Sequence, residues 1–291
     1  MCNGPLWNKI LLFALPLMAS SILQLLFNAA DVVVVGRYAG KEALAAVGSN
    51  SALINLMINL FVGLSVGTNV VVARDLGAGR HDNVSRSVHS SITLALISGV
   101  GMAVFGVVMV RQLLEWMSSP TDVIDLATVY LRIYFLGMPA NMLYNFGAAI
   151  LRAQGDTQRP LYFLTAAGIV NVILNLCFVI GLGMDVDGVA LATILAHICS
   201  WVFGIFYINR KYPFLHIRLF RMRLDRRLLG QVIRLGIPSA IQECQFAVGI
   251  LIMQALINGF GNDFAAGFTA ANKIDTFAFM PIESFSIAAT T

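Results

Sequence analysis

The sequence predicts an all-α polytopic membrane protein: a six-helix lobe followed by about two helices of a second, parallel-repeat lobe. Three observations predict it. First, 58% of the 291 residues are hydrophobic and 12% charged, against about 25% charged in soluble domains. The mean hydropathy is +0.80, and that much apolar surface cannot be hidden in a water-soluble core. Second, apolar runs of about 20 residues recur between short polar stretches, the length that spans a bilayer. Third, the pattern of the first run begins again some way past residue 230.

Spanning segments are predicted at 9–36, 44–73, 88–110, 124–151, 160–183, 187–208 and 229–259, with an eighth opening near 264. The first run reaches about Val35 without a small-residue cleavage pattern, so it reads as a span and not a signal peptide. Pro16, Pro139 and Pro238 predict kinks, and Gly63 with Gly67 predicts close helix packing. Cys2, Cys177, Cys199 and Cys244 have no paired spacing, which argues against a disulfide framework or a zinc site.

Orientation follows from the basic residues. Lys9, Arg74, Arg80, Arg86, Arg152, Arg159 and the run from Arg210 to Arg227 fall on one side, thirteen in all. Arg37, Lys41 and Arg111 fall on the other. The positive-inside rule predicts a cytoplasmic N-terminus and a cytoplasmic loop at 209–228. The net charge of +4 is thereby explained by topology, and no nucleic-acid partner is expected. The predicted organisation is a transmembrane lobe at 1–208, a basic linker at 209–228 and the start of a second lobe at 229–291.

The repeat rests on "ILLFALP" at 10–16 and "VIRLGIP" at 232–238, whose prolines lie 222 apart. The same offset pairs Tyr38 with Phe260, Ala43 with Ala265, Asn50 with Asn272 and Thr68 with Thr290. A repeat that starts after an even number of spans runs parallel to the first, an arrangement seen in secondary transporters. On this reading the chain stops within the second helix of its second half. The missing C-terminal helices of the same chain would then be its partner, alongside the lipid bilayer.

Polar residues inside the apolar runs are the candidate site. Ser21, Gln24, Asn28 and Asp31 share one helical stripe that ends in a carboxylate. Asp31 precedes Gly36 by five residues, and Asn175 precedes Gly181 by six. At 1.5 Å per residue both lie roughly 8–9 Å below the same outer surface. Asn171 stands one turn before Asn175. An ionised carboxylate in hydrocarbon is costly, so Asp31 is expected to face a water-accessible cavity as a cation or proton site. Asn55 and Asn59, Asn141 and Asn145, Thr193 with His197 and Ser200, and Gln242 beside Glu243 form further polar stripes, and Glu283 is also intramembrane. These are candidates to line the cavity. The plainer account of the amides is interhelical hydrogen bonding, and of His197 a buried, satisfied histidine. No P-loop, HExxH, GxSxG or Cys/His cluster is present, so neither an enzyme nor an ATP-driven pump is predicted and an ion gradient is the expected energy source.

Several stretches resemble the multidrug and toxic compound extrusion (MATE) family: "FNAADVVVVGRYAGKEALAAVG", "DLGAGRHDNVSRSV", "YLRIYFLGMPANMLYNFGAAILRAQGDTQRP", "NVILNLCFVIGLGMDVDGVALAT", and "IRLGIPSAIQE" with "GFTAANKIDTF". The resemblance implies twelve helices in two lobes around a central cleft, in a plasma (inner) membrane of bacterial type. It also implies export of small cationic or amphipathic compounds in exchange for H⁺ or Na⁺, with no other cofactor. The family's first-helix carboxylate falls on Asp31, and its fifth-helix Asn followed by Asp falls on Asn171 and Asn175. Here the second position is an amide, so one negative charge is missing. Glu243 lies closer to Pro238 than the seventh-helix acid of some members lies to its proline. The alternatives weighed are a lipid-linked precursor flippase, which would want several cavity arginines where the inner helices offer mainly Arg132 and Arg234, and a non-transporting membrane scaffold.

Overall fold

The computed structural model describes residues 6–116, 124–212, 225–258, 275 and 278–291. Among them the elements are α1 (Leu6–Val34), α2 (Gly40–Gly77), α3 (His81–Trp116), α4 (Ile124–Leu136), α5 (Met138–Ala153), α6 (Gln158–Leu176), α7 (Val186–Lys211), α8 (Arg226–Asn258) and α9 (278–290). Short π-helical turns, Val35–Ala39 and Cys177–Gly181, extend α1 and α6. Five described helical stretches are long and apolar enough to cross a membrane. Their outer faces carry exposed apolar side chains such as Val33, Val104 and Val108, the surface expected against lipid. The repeat partners Phe260, Ala265 and Asn272, and the start of the eighth segment near 264, lie outside the described residues.

Two predicted boundaries are corrected. The sequence predicts a turn at Gly36, but the backbone stays helical through Val35–Ala39 into α2. A π turn takes in an extra residue while keeping backbone hydrogen bonds, which matters where water is scarce. The single segment predicted at 124–151 is broken at Gly137 into α4 and α5. Pro139 has no N–H to offer the carbonyl of Phe135 one turn earlier, and its ring crowds that turn.

The broken span is nevertheless the spine of the core. Leu131, Phe135, Met138, Met142, Phe146 and Ile150 are all essentially inaccessible. Around it α3 packs on α4 and α5, while α7 packs on α4, α5 and α6; α2 also packs on α4 and α5, and α1 lies along α6. Gly99 of α3 faces the break, where a Cβ would sit 2.6 Å from the Pro139 Cα.

Two turns at the basic end share one geometry. The Gly79 N–H donates to Leu76 O at 3.0 Å and the Arg80 N–H to Asp75 O at 2.9 Å; Gly155 and Asp156 make the matching pair to Arg152 O and Leu151 O at 2.8 and 3.0 Å. This is the Schellman arrangement, and it needs a left-handed residue, supplied by Gly79 (φ 70°) and Gly155 (φ 81°).

The segments after 225 pack against the earlier ones. α8 lies along α2 through glycines: a Cβ at Gly63 would overlap the Ala240 backbone, and one at Gly67 would overlap the Val232 carbonyl. The same pair of helices is joined further toward the basic end by Arg74, whose Nη2 donates to Gln231 Oε1 at 2.7 Å. The Asp225 N–H donates to Ser90 Oγ at 3.0 Å. Phe13 and Leu17 of α1 pack with Ala288 of α9. Asn69 Nδ2 donates to Thr291 Oγ1 at 2.9 Å, and these partners stand 222 residues apart.

Candidate functional site

The site begins with how closely α1 can approach α6. Gly168 has no side chain, and the Phe27 ring occupies the space a Cβ would need. Outward of that contact Asn171, Asn175 and Asp31 follow at helical spacing on the two facing surfaces. Asn175 Nδ2 donates to Asp31 Oδ1 at 2.5 Å. The same amide lies 3.2 Å from Asn171 Oδ1, and Asn171 Nδ2 donates to Thr193 Oγ1 at 3.3 Å. Thr193 in turn donates to Val189 O at 3.0 Å. Asn171 and Asn175 are buried and Asp31 is half-buried. Both π turns stand just outward of Asp31 and Asn175 and touch each other.

Asn175 Oδ1 is buried without a hydrogen-bond partner among the described residues. Next to the Asp31 carboxylate it offers a hard oxygen of the kind a small cation takes. One carboxylate among amides suits a proton or a monovalent cation better than a divalent one. Among the described residues no cluster of three His, Cys, Asp or Glu could hold a metal.

A second polar group lies inward, at the break in the fourth span. Asn145 Nδ2 donates to Asn141 Oδ1 at 2.6 Å, and Asn141 Nδ2 lies 3.3 Å from His197 Nε2. An amide nitrogen only donates, so Nε2 accepts and the ring proton sits on Nδ1. Thr193 and His197, one turn apart on α7, both line a small pocket with Tyr134, Gly137, Asn141 and Ile194. Inward again, Tyr144 lies tilted against His197 with ring centroids 6.1 Å apart and borders a mainly apolar pocket that reaches Leu151 and Ile208.

The other candidates are not drawn into this network. Gln24, Asn28, Asn55, Gln242 and Glu283 are exposed, and Asn59 and Glu243 half-buried. Sequence reasoning passed over Tyr134, whose position three residues before Gly137 was the available signal. It also passed over Asp156 at the α5–α6 turn. Asp156 accepts from the Arg159 N–H and from Tyr207 Oη, each at 3.2 Å, and pairs with Arg159 and Lys211 at 3.7 and 3.8 Å.

The family model described as MatE matches residues 16–177. The probable multidrug resistance protein YoeA of Bacillus subtilis is 28% identical over 97% of this chain and 62% of its own length. The probable multidrug resistance protein YpnP of the same organism is 26% identical over 96% and 62%. Among solved structures, an outward-facing conformation of a multidrug resistance MATE family transporter of the MOP superfamily superposes with a TM-score of 0.89 at 27% identity, covering 98% of this chain and 63% of that one. The chain therefore spans somewhat under two thirds of the length of these relatives.

Proposed function

This chain belongs to the MatE family, and from that premise we propose that it is part of an ion-driven antiporter that exports small cationic or amphipathic compounds by alternating access, with Asp31 as the coupling carboxylate. The observation that carries the proposal is the hydrogen bond from Asn175 to Asp31 inside the apolar part of the fold. A carboxylate held by neutral amides has two stable conditions. Ionised, it accepts from Asn175 and can take a cation; protonated, it becomes a donor, and the amide must turn its oxygen or let go. Either exchange changes how α1 lies on α6, and so links ion occupancy to helix position. With one carboxylate, H⁺ is the favoured coupling ion and Na⁺ the alternative.

The basic residues at the ends of α2, α5 and α7 support a cytoplasmic placement for that end and for the N-terminus. Asn69 and Thr291, hydrogen-bonded at the offset of the sequence repeat, are what residues on a pseudo-two-fold axis would do, and this supports two parallel lobes meeting there.

The test uses everted vesicles loaded with the full-length protein and a fluorescent cationic dye. Imposed proton and sodium gradients should each be tried with the native protein and with Asp31→Asn. Dye movement driven by one gradient and lost in the variant is the expected result; full transport by Asp31→Asn refutes the assignment.

A further inference from the structure

Near its basic end α2 carries Arg74 and Asp75 side by side. Arg74 Nη2 donates to Gln231 Oε1 of α8 at 2.7 Å, and the same nitrogen stands 3.7 Å from Asp75 Oδ1. The second separation suits an ion pair but is too long for a hydrogen bond. Arg80 Nη1 is 4.0 Å from that oxygen. Asp75 is 1% exposed, and among the described residues neither of its carboxylate oxygens has a hydrogen-bond partner. A buried charged acceptor without a donor is costly, and a bond from guanidinium to carboxylate is the strong kind. Arg74 is thus held by a neutral amide while a charged acceptor beside it goes without. A movement of about 1 Å would bring Nη2 to the roughly 2.7–2.9 Å of a charge-assisted bond. What keeps Arg74 on Gln231 is the close approach of α8: a Cβ at Gly236 would lie 2.7 Å from Leu64 O of α2. The start of α8 is also tied to α3, where the Asp225 N–H donates to Ser90 Oγ at 3.0 Å and the Asp225 carboxylate lies 4.0 Å from Arg86.

We propose that Asp75 is a positioning residue of the transport cycle, which takes Arg74 over from Gln231 when α8 moves away from α2 at the basic end. On the alternating-access reading given above, on which this rests, α8 begins the second lobe, and contacts between the lobes at this end part once in each cycle. While the helices are joined, Arg74 bridges them and Asp75 keeps only a loose ion pair. When they part, Gln231 turns to water and Arg74 closes on Asp75. The parted arrangement loses the packing of α2 on α8 and gains a bond between two charged groups that the joined one lacks. The exchange offsets part of the cost of separation and brings the two arrangements closer in free energy, as a cycle that visits both requires. It moves no proton and no ion, so it acts independently of the coupling carboxylate.

The reporter is Val232, fully buried on α8 where its carbonyl meets Gly67 of α2. In the full-length protein with its native cysteines replaced, Val232→Cys would be labelled by a membrane-impermeant maleimide in everted vesicles, without dye or gradient. The labelling rate then reads how often α2 and α8 part. Gln231→Ala frees Arg74 and should speed labelling about tenfold, since a hydrogen bond to a charged group contributes roughly that factor or more. Asp75→Asn relieves the unpaired charge of the joined arrangement and weakens the acceptor of the parted one, and it should slow labelling about tenfold. The two changes together should return the rate to near the native value, a compensation that a residue needed only for folding would not show. Labelling that is unchanged or faster in Asp75→Asn overturns the proposal, as does a double variant that matches either single one. Should Asp75→Asn fail to accumulate, Gln231→Glu gives Arg74 a charged acceptor on α8 and should also slow labelling; a native rate there overturns the proposal too. Full dye transport by Asp31→Asn removes the coupling carboxylate and leaves these rates as they are, so the two readings fail separately.

Discussion

Gly168→Ala is the smallest change that separates Asp31 from Asn175 without touching either. The added Cβ overlaps the Phe27 ring, while ordinary carbon contacts lie at about 3.5–4.0 Å. The ring must turn out of its place or α1 must move away from α6. Overpacking of this kind costs typically about 1–3 kcal/mol. A shift of about 1 Å takes the 2.5 Å bond from Asn175 to Asp31 out to the limit of a hydrogen bond. A bond to a charged group is worth about 1.5–3 kcal/mol, so coupling should weaken by roughly tenfold or more, at 1.4 kcal/mol per factor of ten. The assay is gradient-driven dye transport per unit of membrane-inserted protein. The decisive step is the double variant: Phe27→Leu removes the ring that the methyl meets, and Gly168→Ala with Phe27→Leu should recover most of the lost rate. A fully active Gly168→Ala, or a double variant no better than the single, would refute the argument that this contact sets the site.

Two further predictions concern the basic end. Gly155→Ala, at φ 81°, should lower stability in detergent by about 1–2 kcal/mol, the cost of a left-handed conformation for a residue with a Cβ, read as a drop in thermal midpoint with dye binding intact. Asp156→Ala leaves Tyr207 and the Arg159 N–H without their acceptor and should cost about 1–3 kcal/mol; an unchanged midpoint would mean that water replaces the carboxylate.

Much of this fold is written at the level of composition and local pattern. Apolar length fixes where the chain can cross a membrane, and basic loops predict which end faces the cytoplasm. Counting back from Gly36 and Gly181 predicts that Asp31 and Asn175 stand level, and the two do meet, although Gly36 lies in a helical stretch and makes no turn. The break in the fourth span was legible only as a proline: Pro139 predicts a kink, but whether the freed backbone faces lipid, another helix or a cavity depends on what packs there. The π turn after Asp31 left no signal at all, because "VVVVGRYAG" suits a turn and a widened helix equally.

Other features needed the assembled structure. The stripe from Ser21 to Asp31 looked like one surface, yet Gln24 and Asn28 stay exposed while Asp31 meets α6. His197 looked like a satisfied core histidine, and it is hydrogen-bonded, but to an asparagine on a broken helix beside a cavity. The offset of 222 was a weak repeat in sequence and became a hydrogen bond between Asn69 and Thr291. The sequence by itself determined the spans, the predicted sidedness and the residues too polar to be idle, because burial cost and helical period act locally along the chain. Only the tertiary structure decided which of those residues meet, because that depends on how closely two backbones approach, and here a missing side chain at Gly168 and a missing N–H at Pro139 set the approach.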